Sequence, residues 1–313
     1  RNLMATDSRS RADGLSADEL ATLLDAVDPV ASAGSWMIEN LPAINAGYLT
    51  SRLIADGQSA RAARLAMVIE DPSTRALIQG LLAGSAGDAP AARDLFLAAL
   101  AADTRNQSAR FALLEPELPR LARDRAGADV QELAAGLTGS AASVVRGWRL
   151  AAESDWPALA ALDNALARAR PTELWYPHAV QLRADWRTKV TGDPLPARDA
   201  IRLIDQAVAI RPELDLFVLR AAAADVLREI AAFRESSRYA TELVSARLGE
   251  IEAGQRPVSV AELEMMFRRV SALRGRLVRL SAPNEQDRQL DRDTAALSDR
   301  MGEELRRIQI LRE

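Results

Sequence analysis

Breaks in helical patterning recur along this chain at a nearly constant interval. Helical stretches end at Asp71–Pro72, Asp103–Thr104, Leu137–Thr138, Arg170–Pro171 and Arg211–Pro212. Pro72, Thr104, Thr138, Pro171 and Pro212 stand 32, 34, 33 and 41 residues apart. An interval near 34 residues is what one helix–turn–helix pair occupies when such pairs follow one another. Each pair hides its apolar face only against its neighbours, so the 313 residues need no single central core.

Residues inside the period repeat as well. In the unit from Ser73 to about Asn106, Gly80 falls in the first helix, and Ala92, Phe96 and Ala99 share one face of the second. Gly80 and the alanines let two helix backbones approach, and Phe96 fills the space between units. The same small–large–small spacing returns at Ala158, Leu162 and Ala165, and again at Ala200, Ile204 and Ala207. Alanine, the strongest helix former, makes up roughly a fifth of the chain, which predicts an all-helical protein.

These residues resemble the tetratricopeptide repeat (TPR) family over about 59–220, most clearly in 73–106 and 196–212. The resemblance implies an all-α chain: an α-solenoid of TPR-like helix–turn–helix repeats, about five in number, with a C-terminal helical hairpin. Pro116 and Pro119 must interrupt a helix in the middle unit. The resemblance also implies a concave groove that takes an extended peptide. Thr74, Leu77 and Leu81 of the first helix are the expected groove residues. Lysine is absent there, so apolar or Arg-mediated contacts are expected in place of a lysine clamp on a carboxylate.

Three parts are expected: a helical cap over 1–58, the repeat array over 59–254 and the hairpin over 255–313. The cap opens with a capping box, Ser16 with Glu19, flanked by Leu15 and Leu20. From Glu213 to about Ala253 the pattern fits one long helix or two abutting ones. Leu263, Met266, Val270, Leu273, Leu277 and Leu280 then alternate spacings of three and four, a heptad seam. A polar turn around Pro283 leads to a last helix carrying Leu290, Leu297, Met301, Leu305, Ile308 and Leu311. The seam is either consumed within the chain or shared in self-association through the hairpin.

Charge and composition narrow the function classes. Forty basic residues against 44 acidic ones give a net charge of −4, which argues against a nucleic-acid partner. Cysteine is absent, and His178 is the single histidine, so thiolate metal sites, disulfides and cysteine nucleophiles are excluded. No apolar run reaches the length of a membrane span.

Individual motifs read as structural. His178, in the context Trp175–Tyr176–Pro177, is expected to cap or pack, since no nucleophile motif accompanies it. Trp148, Trp156, Trp175 and Trp186 fall in one third of the chain and are expected to fill space between helices. The acidic group Glu285, Asp287, Asp291 and Asp293 is interleaved with Arg288 and Arg292, as on a solvated helix face. Residues 136–140 are Gly-rich but lack the following Lys of a phosphate loop. No catalytic residue, metal or cofactor is assigned.

A second resemblance is carried by Asn2–Leu3–Met4–Ala5–Thr6, the helix from Gly14 and Asp28–Pro29. They are similar to the segment after the catalytic domain of bacterial membrane proteins with a fused spermidine-synthase-like domain. That implies a piece of a longer product attached to a membrane-embedded parent. The compartment stays open between bacterial cytoplasm and periplasm. The expected function is therefore a non-catalytic repeat module that binds a protein or peptide or scaffolds an assembly. The alternative is the regulatory or structural C-terminal region of a larger spermidine-synthase-like enzyme.

Overall fold

The computed structural model describes residues 42–55, 58–189, 195–210, 214–254, 260–280 and 283–310. The Ser16 capping box and the rest of the expected cap up to residue 41 lie outside the described residues. Every regular element among the described residues is helical. Two compact units divide between Ala179 and Val180, so the chain parts at a different place from the three expected segments.

The first unit holds α1 (Ala43–Ala55), α2 (Ser59–Val68), α3 (Pro72–Ser85), α4 (Ala89–Ala102), α5 (Gln107–Leu114), α6 (Leu118–Leu121), α7 (Ala128–Ala135), α8 (Gly139–Ala152), α9 (Trp156–Ala161) and α10 (Asp163–Leu166). Helix α11 (Tyr176–Lys189) contains the point of division. Chain-intrinsic signals start these helices. The carboxylates of Asp71, Asp88 and Asp155 accept from the backbone N–H of Thr74, Ala91 and Ala158, with Pro72, Pro90 and Pro157 in the first turn. Gly87, at φ 82°, makes the left-handed turn between α3 and α4.

Helix α3 packs on α1, α2 and α4, and α4 packs on α5. Gly80 lies against Phe96 of α4: a Cβ placed there would sit 2.5 Å from the ring edge. Ala92, Phe96 and Ala99 are buried with Leu77, Ala109 and Leu113. Pro116 and Pro119 do interrupt their unit, leaving a 3₁₀ turn (Glu115–Glu117) and the single-turn α6.

The 34-residue interval has a physical counterpart in polar links from one pair's start to the next. Asn106 donates through Nδ2 to Ser73 Oγ, 33 residues back, and Ser73 donates to the Ala99 carbonyl. Gln107 accepts from the Thr138 N–H and donates to the Gly136 carbonyl. Ser140 donates to Glu173, again 33 residues on, and accepts from the Trp175 indole.

One expected packing triplet is corrected. Leu162 breaks the helix between α9 and α10, and Ala158, Leu162 and Ala165 are only half-buried. The buried positions are Leu159 and Leu166, one residue further along. By contrast Ala200, Ile204 and Ala207 are fully buried.

The second unit continues with α12 (Leu195–Ile210), α13 (Leu214–Val226), α14 (Ile230–Glu252), α15 (Val260–Leu277) and α16 (Glu285–Ile310). The stretch read as one helix or two abutting ones is a hairpin. Leu227–Arg228–Glu229 reverses the chain, and Arg228 holds φ 57° where Gly would be favoured. The heptad seam Leu263, Met266, Val270, Leu273 and Leu277 is buried within the chain, in one cluster with α13, α14 and α16.

The hairpins α13–α14 and α15–α16 are built on one template. Buried Leu214, Phe217, Ala221 and Ala224 have the spacing of Leu263, Met266, Val270 and Leu273, 49 residues later. Phe233, Ser237, Ala240, Val244, Leu248 and Ile251 likewise match Leu290, Thr294, Leu297, Met301, Leu305 and Ile308, 57 residues later. Among the described residues four ion pairs hold the two hairpins side by side. Arg269 and Arg276 of α15 donate to Asp215 and Asp225 of α13 at 2.6 and 2.8 Å. Arg234 of α14 grips Asp287 of α16, and Arg300 of α16 grips Glu252 of α14, each through two bonds. The order of these contacts makes α13 parallel to α15 and α14 parallel to α16.

Candidate functional site

The expected groove residues divide sharply by exposure. Thr74 is buried and donates its hydroxyl to Asp71, while Leu77 is completely buried in the core of α3 and α4. Neither side chain is presented to a partner, which corrects their assignment as groove residues. Leu81 is half-buried beside them. The reason is visible at Gly47 of α1, where a Cβ would meet Leu77 at 3.5 Å and Leu174 at 3.7 Å. Leu174, from the turns that precede α11, packs on the α3–α4 core, so this chain's own irregular segment covers the face read as a peptide groove.

The segment is fastened on both sides of Leu174. Glu173 is buried and accepts from the Arg170 N–H, the Arg170 guanidinium and the Ser140 hydroxyl. Trp175, 3% exposed, lies 5.7 Å from the Phe111 ring. His178 sits 5.5 Å from Phe111 and 5.9 Å from Trp148, with Nε2 3.0 Å from a Glu115 oxygen. Phe111, Trp148, Trp175 and His178 thus form one aromatic cluster, in keeping with a packing role. Trp156 opens α9, and Trp186 carries the Arg187 guanidinium 4.3 Å above its ring.

A cleft of about 760 Å³ opens between the parallel α14 and α16. Small Ala231 and Ala232 on α14 leave space along one wall, and Leu290 contributes apolar surface. Arg234 and Asp287 are paired in its wall, and Arg238, Gln286, Gln289 and Asp293 supply outward polar groups. Burial of Asp287 to 2% exposure opposes its ionised form, yet the Arg234 hydrogen bonds prevail and hold its carboxyl below the usual range. The same bonds push the Arg234 guanidinium up. Asp287 and Asn284 also cap α16 reciprocally, each accepting from the other's N–H. Glu235 is tied to Arg220 of α13, and Asp293 accepts from Gln289. Volume and lining suit a peptide side chain or short segment, held by apolar contact with a few amide and guanidinium bonds.

The sequence reading saw Asp287 and Asp293 as part of an acidic run and missed the cleft. The run is dispersed by pairing: Glu285 with Arg288 and Arg292, Asp287 with Arg234, Asp291 with Arg274. Among the described residues no group of three or more His, Cys, Asp and Glu side chains could hold a metal ion. No helix among them is long and apolar enough to cross a membrane. The usable signal was the matched spacing of 233–251 and 290–308, which sets α14 beside α16 once both are read as copies.

Comparison with protein-family models, with curated proteins and with solved structures found no match to this chain.

Proposed function

We propose that this chain is a non-catalytic, TPR-like helical-repeat module that binds a protein or peptide, and that the α14–α16 cleft receives it. The observation that carries this reading is the cleft itself. It is a standing gap between two repeated hairpins, with exposed Gln286 on one wall to meet peptide amides and, on the other, Arg238, whose contacts with Glu242 and Tyr239 are long enough to yield to a carboxylate. The self-covered face in the first unit supports the same placement, because Leu174 already takes the surface a peptide would use there.

The test is affinity capture with the intact chain beside two exposed-site variants. Ala231→Trp fills the cleft without entering the core, and Met67→Glu alters a side chain 81% exposed in the other unit. Loss of a captured protein with Ala231→Trp and its retention with Met67→Glu is the expected result. Equal capture by all three refutes the cleft as the binding place.

A further inference from the structure

In the second unit, one face of the leading helix α13 receives the hairpin that follows. On α13 that face is the stripe Asp215, Val218, Ala222 and Asp225, whose two ends bind Arg269 and Arg276 of α15. The 49-residue match of the buried positions carries this stripe onto Glu264, Phe267, Ser271 and Arg274 of α15. At 100° per residue these four lie on the side of α15 opposite Arg269 and Arg276, away from α13. Glu264, Ser271 and Arg274 are exposed, and Phe267 is 37% exposed. Val278, on the same line, is 68% exposed, and Val260 at the other end is half-buried.

The order along this stripe reads Val260, Glu264, Phe267, Ser271, Arg274, Val278, and it is self-complementary when reversed. A two-fold axis at the level of residue 269 sets Val260 opposite Val278 of a second copy. It sets Glu264 opposite Arg274 and bulky Phe267 opposite small Ser271. Every contact occurs twice, as an isologous interface demands. Glu264 has no ion pair among the described residues. Arg274 binds Asp291 at 3.2 Å through one nitrogen and keeps further donors for a second carboxylate. We infer that α15 is a homodimerisation helix, pairing antiparallel with α15 of a second copy through Val260, Glu264, Phe267, Ser271, Arg274 and Val278. This inference goes beyond the proposed binding cleft and does not depend on it, since the stripe faces away from α13 on a different helix.

An 18-residue helix spans about 27 Å, less contact than a large obligate interface offers, so dissociation in the micromolar range is expected. Sedimentation equilibrium of the full chain from about 1 to about 500 μM reads this directly. The intact chain should shift from monomer to dimer across that span. Ser271→Asp is fully surface-placed, and it and Phe267→Glu should each weaken the dimer at least about tenfold, as loss of a central contact does. Glu264→Arg alone and Arg274→Glu alone should weaken it similarly, and the two together should restore it to within about threefold. Thermal melting of each variant confirms that it is folded. A chain that stays monomeric throughout, or a dimer indifferent to Ser271→Asp, overturns the inference; failure of the charge exchange to restore dimerisation overturns the antiparallel pairing.

Discussion

Replacing Gly80 by Ala sets two well-known effects against one another. In a helix interior Ala is favoured over Gly by about 1 kcal/mol, because the freer Gly loses more conformational entropy. At this position the added methyl would lie 2.5 Å from Cε1, 2.6 Å from Cδ1 and 3.1 Å from Cζ of Phe96. Carbon atoms rest about 3.5–4 Å apart, so the ring must retreat by about 1 Å. It has little room, being 7% exposed and boxed in by Ala92, Ala99, Ala109 and Leu113. Overpacking costs about 1–3 kcal/mol, and with the ring so confined the upper part of that range, about 2–3, applies; set against the propensity gain it leaves a net loss of about 1–2 kcal/mol. Amide hydrogen exchange in α3 and α4 is the suitable assay, since it reads the stability of this pair apart from the second unit. Shrinking the ring should relieve the clash: Gly80→Ala with Phe96→Leu should lose at least about 1 kcal/mol less than the sum of the single changes. A Gly80→Ala chain with slower exchange than the original, or strict additivity of the pair, would refute the contact as the reason for glycine here.

Two further outcomes concern charged groups in the second unit. Asp287→Ala removes the partner of Arg234 and half of the α16 cap, and should lower stability by roughly 2–4 kcal/mol in urea unfolding. Because Arg234 depresses the Asp287 pKa, its stabilisation is present above the unfolded carboxylate range and is lost as pH falls through the folded value. Asp185 behaves oppositely. Burial pushes its pKa up to about 6, against the lowering pull of Lys189, Gln181 and Arg269. The folded chain therefore holds this proton more tightly than the unfolded one. Its contribution is full below pH ~4 and is lost as pH rises through about 6. Asp185→Asn should match the original chain at pH ~4 and exceed it at pH ~8, by up to about 3 kcal/mol; equal stability at both would refute the burial argument.

Much of the first unit was legible because its signals are local. Prolines and capping carboxylates start its helices, and Gly80 with Phe96 marks the close approach of α3 and α4. What escaped was decided by tertiary contact. The reversal at Leu227–Glu229 contains neither Gly nor Pro, so nothing local distinguished it from a continuing helix. The break at Leu162 shifted burial onto Leu159 and Leu166 by one position, which periodicity alone could not resolve. Thr74 and Leu77 were placed on an open face by analogy of position. Thr74 is instead turned to the Asp71 cap, and Leu77 is buried by α4, α5 and Leu174, the last about 100 residues away in sequence. The α14–α16 cleft was unreadable for a related reason. Its two walls come from helices whose adjacency follows from hairpin stacking, not from neighbouring residues.

The two units solve the same stacking problem with different chemistry, and the difference follows from their core patterns. In the first unit, uneven breaks and the Gly80–Phe96 contact leave one way to fit successive pairs, and polar links every 33 residues suffice to join their starts. In the second unit the apolar seam repeats by heptads, so sliding one hairpin along the other by seven residues would preserve much of its apolar burial. Register then needs another source. Such a slip would carry Arg269 from Asp215 to Ala222, or Arg276 from Asp225 to Val218, and both pairs would be lost. The three more exposed pairs each contribute only about 0.2–1 kcal/mol to stability, and Arg234–Asp287, with its carboxylate buried, contributes more, but the difference between registers is counted over all four. Asp215→Asn with Asp225→Asn should accordingly leave helix content by circular dichroism unchanged while lowering the exchange protection of α15. Unaltered protection of α15 would mean that side-chain packing alone selects the register.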